Sequence, residues 1–205
     1  MIKCILFDMD GVLIDARDWH YDALNRALSV FGFNISLESH LTTFDGLPTR
    51  KKLKMLSDSY GLPLMLHEFI NELKQEFTLQ ISYQKCKPTF NHQYALSRFH
   101  AEGYKMGVCS NSVRQSVESM MRLSNLEKYL DVLVSNEDVK KSKPDPEMYI
   151  KAMNQLGCKP SECLILEDNE NGIKAAKASR AHLLKISEPN DVNYFSIKEA
   201  ISRLE

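Results

Sequence analysis

What the chain is short of narrows its chemistry first. No stretch approaches 18 consecutive apolar residues, so no membrane-spanning helix is expected. There are only five cysteines (Cys4, Cys86, Cys109, Cys158 and Cys163), odd in number, scattered and partly inside apolar runs. They form no disulfide framework and read as reduced, structural thiols of a cytoplasmic protein. Cys158 and Cys163 lie close in sequence, but no second close pair completes a zinc site. An excess of either charge is missing too. Lys and Arg total 26 against 27 Asp and Glu, a net charge of −1, which gives no reason to expect a nucleic acid or a membrane surface as partner. Any acidic cluster must therefore be local. Internal repeats, low-complexity tracts and long linkers are absent. With the first strand expected to begin at residue 2, no leader peptide is expected ahead of it. What remains is an ordinary globular composition, 43% hydrophobic and 26% charged over 205 residues. One large domain, or one with a small insertion, fits that length.

The chain is organised around its beginning. Cys4 to Phe7 is a short apolar run that reads as a buried strand. It ends in Asp8-Met9-Asp10-Gly11, two carboxylates separated by one residue. Alternate residues of a strand point the same way, so both acids leave the sheet on one side, at the carboxyl end where open α/β sheets bind ligands. Two like charges so close invite a metal ion or push their pKa values apart, which suits one carboxylate for attack and the other for carrying a proton. A solvated acidic turn would give the same three letters, so the remainder of the chain has to decide.

Residues 16 to about 87 read as helical. Trp19, Ala23, Leu24, Ala27, Leu28 and Phe31 recur at three- and four-residue spacing before Gly32. A second helix is expected from Pro48 or Thr49 to Tyr60, and a third from about Met65 to Ser82. Strands resume at 105–110, 132–135, 163–167 and 182–186, alternating with helices near 91–102, 113–123, 146–156 and 170–179. That alternation predicts βαβ units and a parallel sheet. The expected architecture is an α/β core with a Rossmann-like parallel sheet, formed by residues 1–15 and 88–205, with an α-helical cap inserted at 16–87.

Each of these strands ends in something polar. The second ends in Ser110-Asn111-Ser112, a hydroxyl and backbone N–H groups at a helix start, where a phosphate can sit. Lys143 follows the third, ahead of Pro144. The fourth ends in Glu167-Asp168-Asn169 with Gly172 beyond. Each alone is an ordinary cap or surface group. Four successive strands delivering acid pair, hydroxyl, lysine and acid pair to one edge are harder to assign to capping.

Those residues resemble the four motifs of the haloacid dehalogenase superfamily, over the whole chain: Asp8-Met9-Asp10-Gly11-Val12, Ser110 with Asn111, Lys143, and Glu167-Asp168. Phe7 to Asp15, Lys143-Pro144-Asp145-Pro146 and Gly172-Ile173 are similar to the subgroup of β-phosphoglucomutase and small sugar-phosphate phosphatases, which carries a helical cap after the first motif. The resemblance implies a Mg²⁺-dependent phosphatase working through an aspartyl phosphate. In that reading Asp8 is the nucleophile and Asp10 the acid and base. Ser110 and Lys143 hold the phosphoryl oxygens. A carboxylate oxygen of Asp8, the backbone carbonyl of Asp10, Asp168 and Glu167 surround the metal. Asn111, His20 and Arg50 are the expected substrate contacts, His20 by placing Asp10 and Arg50 from the cap. The implied partner is a small phosphorylated metabolite, and a monomer or weak homo-oligomer is expected.

Three departures stand out. Ala16 replaces a hydroxyl residue beside the cap hinge, Asn169 replaces a serine, and Arg180 stands where a glycine ends the helix after the fourth motif. β-Phosphoglucomutases carry a lysine before the cap-loop glycine and an arginine three residues after it. Here those places hold Asp45 and Thr49, which favours hydrolysis over isomerisation.

Overall fold

The computed structural model describes residues 1–204. The chain divides into two compact units, Met1–Asp15 with Cys86–Glu205, and Ala16–Lys85.

The first unit is built on a five-stranded sheet in the order β3-β2-β1-β4-β5, parallel throughout. Its strands are β1 (Cys4–Phe7), β2 (Lys105–Cys109), β3 (Val132–Val134), β4 (Cys163–Glu167) and β5 (His182–Lys185). β1 lies in the middle, with Phe7 in register with Val108 of β2 and Leu166 of β4. All four of its side chains are buried, as an unbroken apolar run predicts for a strand covered on both faces. Each such side chain contributes about 1.5–3 kcal/mol relative to exposure. From β1 the chain moves outward to β2 and β3, then returns to β4 and β5 on the other side. That reversal is the point at which doubly wound sheets place their ligands.

Helices α5 (Phe90–Ala101), α6 (Arg114–Leu123), α7 (Glu147–Leu156), α8 (Glu170–Ala178) and α9 (Tyr194–Ser202) complete this unit. The apolar face of α7 (Met148, Tyr149, Ala152, Met153 and Leu156) packs in one core cluster with Cys4, Leu6, Cys163 and Ile165 of the sheet. Helix α9 lies beyond the last strand anticipated from the sequence. Its signal is an Asn193 cap, whose side chain accepts from Ser196 N at 3.0 Å, and two buried isoleucines four residues apart, Ile197 and Ile201. The stripe is too short to stand out.

The second unit comprises α1 (Arg17–Ser29), α2 (Leu37–Ser39), α3 (Thr49–Tyr60) and α4 (His67–Lys85). Between α2 and α3, His40–Phe44 forms a wide π-helical turn that periodicity could not anticipate. Helix α1 packs against α4. The core of this unit gathers Leu24, Leu28, Phe44, Leu53, Leu56 and Ile70. Helix α4 runs three residues past the expected Ser82, because Ile81 and Ser82 are still buried there and no breaker follows before Pro88. Helix α3 stops where Gly61 takes the left-handed conformation, φ 70°.

Candidate active site

Asp8 is the first residue past β1, and its backbone N donates to Leu166 O of β4 at 3.0 Å, so the sheet fixes its position. The chain then turns sharply. Leu13 N and Ile14 N donate to Met9 O, and Gly11 N donates to Ile14 O at 2.7 Å. Gly11 is required on two counts. Its φ is +91°, and a Cβ there would lie 2.1 Å from Oδ2 of Asp168. Gly172 is required by the same kind of close approach, since its Cβ would stand 1.8 Å from Oε1 of Glu167. The two glycines thus let backbone press against the two acids at the carboxyl end of β4.

Lys143 is the hub. Although a lysine before proline is normally a surface residue, this one is 4% exposed. Asn111 clamps its backbone, with Lys143 N donating to Oδ1 at 3.0 Å and Nδ2 donating to Lys143 O at 3.3 Å. The Lys143–Pro144 peptide is cis. An ammonium has three hydrogens to donate, and Nζ uses them on Asp8 Oδ1 at 2.6 Å, Glu167 Oε1 at 2.6 Å and Cys109 O at 2.7 Å. Below it lies the ring of Tyr149, 4.8 Å from Nζ to the centroid. The Tyr149 hydroxyl donates to the same Glu167 Oε1 at 2.5 Å. Tyr149 is fully buried. Sequence reasoning missed it because a tyrosine on the inner face of an amphipathic helix looks like core.

Ser110, 1% exposed, leaves β2 with its N donating to Val134 O at 2.9 Å, and its Oγ accepts from Ser112 N at 3.0 Å. Ser112 in turn donates from Oγ to Asp10 Oδ2 at 3.0 Å. Asp8, Asp10, Ser110, Asn111, Lys143, Glu167 and Asp168 therefore belong to one connected cluster at the carboxyl ends of β1, β2 and β4. His20 and Arg50 belong to the helical unit. His20 Nδ1 lies 3.3 Å from Lys74 Nζ. Arg50 is exposed on α3, whereas Lys52 two residues on is buried.

The electrostatics of the cluster are lopsided. Burial pushes the Asp8 carboxyl well above its usual range, and the charges of Glu167, Asp168 and Asp10 push the same way, with Lys143 opposing. Four carboxylates against one ammonium leave negative charge to be matched. One carboxylate oxygen each from Asp8, Glu167 and Asp168 lie within 4.8 Å of one another. Hard oxygen donors so gathered fit a divalent cation, and a bound cation would reverse the shift on Asp8.

A family model described as haloacid dehalogenase-like hydrolase matches residues 5–186. The chain belongs to the haloacid dehalogenase-like hydrolases. It is 27% identical over 178 residues to a phosphorylated carbohydrates phosphatase of Thermotoga maritima, covering 87% of this chain and 82% of that one. It is 29% identical over 179 residues to the pyrophosphatase PpaX of Bacillus cereus, covering 84% and 77%. Its fold is that of the β-phosphoglucomutase of Clostridium difficile, at a TM-score of 0.85 and 19% identity over 99% of this chain and 98% of that one. In keeping with the phosphatase among these relatives, this haloacid dehalogenase-like protein is a phosphoric monoester hydrolase.

Proposed function

We propose that the protein is a Mg²⁺-dependent phosphatase of a small phosphorylated metabolite, a sugar phosphate in the first instance, and that it works through an aspartyl phosphate on Asp8. The observation that carries this reading is the buried Asp8 held by Lys143 beside Asp10, Glu167 and Asp168. Asp8, the backbone carbonyl of Asp10, Asp168 and Glu167 would surround the cation, which when bound shields Asp8 from the phosphoryl oxygens it must approach.

In the first half-reaction a carboxylate oxygen of Asp8 forms the new bond to phosphorus as the ester P–O bond breaks. Asp10 hands its proton to the departing alkoxide. In the second half-reaction Asp10, now a carboxylate, takes a proton from water. The hydroxide attacks phosphorus, the aspartyl P–O bond breaks, and inorganic phosphate leaves with Asp8 restored. General acid and base help of this kind contributes about 10²–10⁴ in rate. Lys143 offsets the charge that gathers at Asp8. Its hydrogens are already donated within the resting cluster, so it acts chiefly as a fixed cation. Ser110 and the backbone around Asn111 receive the phosphoryl oxygens. The helical unit, with His20 and Arg50, selects the substrate.

The same aspartyl phosphate serves a phosphomutase, and the choice between the two turns on a second anion site. Asp45 supports hydrolysis. Its carboxylate lies 3.9 Å from Arg17 Nε and puts negative charge where the resembling mutases carry a lysine. The deciding experiment offers purified protein a panel of sugar monophosphates and other phosphate esters with Mg²⁺, following released phosphate and sugar isomers together. Phosphate release is expected, abolished by chelator and restored by Mg²⁺. Full activity in excess chelator, or isomerisation outrunning release on any hexose phosphate, would contradict the proposal.

A further inference from the structure

The geometry points to Ser112 as the positioning residue for Asp10, an inference that rests on the phosphatase reading. Asp10 sits on the turn after β1, where the Asp10–Ile14 bridge and the Gly11-to-Ile14 hydrogen bond fix its backbone. Its side chain still has two torsions to set. A hydrogen bond that helps set them comes from the neighbouring strand's loop, Ser112 Oγ to Oδ2 at 3.0 Å.

That loop is built to hold its hydroxyl still. Ser112 N donates to Ser110 Oγ at 3.0 Å, and Ser112 O accepts from Asn136 N at 3.1 Å. Asn136 also donates from Nδ2 to Asn111 O at 2.8 Å. The short 3₁₀ turn that carries Asn136 is itself tied down. Ser135 caps it through Asp138, and the Arg114 guanidinium pairs with Asp138. Ser112 is thus anchored through its backbone on two sides and spends its side chain on Asp10.

A general acid must present its proton to one leaving oxygen, and misplacement by about 1 Å can cost on the order of 10²-fold. A donor fixed on Oδ2 assigns the transferable proton to Oδ1 and orients the carboxyl plane. In the second half-reaction the same donor stabilises the carboxylate that takes the proton from water. Ser112 touches neither phosphorus nor leaving group in this account and acts through Asp10 alone.

The prediction separates such a role from a merely structural one by leaving-group dependence. Ser112→Ala should lower kcat about ten-fold on alkyl phosphates, whose departing alkoxide needs the proton. On p-nitrophenyl phosphate, whose leaving group needs none, the first-turnover burst of p-nitrophenol, which reports formation of the aspartyl phosphate and not its hydrolysis, should slow by less than about two-fold. KM should hold on both, and Ser112→Thr should restore the alkyl rate. An equal loss on the two classes, no loss on either, or a folded Thr variant that fails to restore would overturn the inference. A second measurement needs no turnover: the side-chain carboxyl ¹³C resonance of Asp10, assigned by its disappearance in Asp10→Asn. It should shift in Ser112→Ala and return in Ser112→Thr, and an unmoved resonance would overturn the inference even were the wild type inactive on every ester. Wild-type inactivity alone would sink the phosphatase reading instead.

Discussion

At the scale of single residues, the two ionisable side chains with the clearest histories are Lys143 and His40. Without the family resemblance, Lys143 reads in the sequence only as a lysine ahead of a proline. What buries it is a set of acceptors from three other segments, Asp8, Cys109 O and Glu167, none near it in sequence, so no local pattern could have signalled them. The four acids were legible because each lies at or just past the end of a strand, and strand ends can be read from apolar runs. Tyr149 and Ser112 were not, since their roles exist only through contacts across the fold. His40, 1% exposed beside the ring of Tyr21, has its pKa lowered to about 4, first by burial and then by the charge of Lys52 and of His20, with Asp45 and Asp18 opposing. The folded-state value lies below the unfolded one of about 6.5. The neutral form therefore contributes stability above pH 6.5 that is lost as pH falls toward 4, up to about 3 kcal/mol. Thermal unfolding of the wild type should weaken over that window more steeply than that of His40→Phe, which keeps a ring and cannot titrate. Parallel curves for the two proteins would exclude the effect.

At the scale of elements, strands were read to within a residue or two, and Cys163–Glu167 falls on the expected bounds. Short apolar runs between turn signals leave little latitude. Helix ends were harder, because they are set by caps. Asn169, a departure from the resembling pattern, caps α8 by accepting from Asn171 N at 3.0 Å. Arg180 closes the same helix by adopting the left-handed conformation itself, φ 64°, where a side chain costs about 1–2 kcal/mol relative to glycine. The Ser179 hydroxyl helps, donating to Ala176 O at 2.6 Å. Arg180→Gly should therefore raise the unfolding free energy by about 1 kcal/mol, measured by denaturant titration, with activity unchanged. A loss of stability would mean that the guanidinium makes contacts worth more than the backbone strain.

At the scale of the molecule, the sequence announced a parallel sheet with a helical insertion. The structure has a five-stranded parallel sheet with β1 at its centre and a separate helical unit at Ala16–Lys85. Substrate choice was not legible. It depends on which side chains of the helical unit meet the substrate, and spacing along a helix does not reveal that. The central claim is that Asp8 takes the phosphoryl group. It is tested most directly by trapping that group. Asp10→Asn should slow cleavage of the intermediate while p-nitrophenyl phosphate, with its good leaving group, still loads the enzyme. After rapid quenching and borohydride reduction, peptide mass spectrometry should find homoserine in place of aspartate at position 8. An unmodified Asp8 in a protein that is releasing p-nitrophenol would contradict the account.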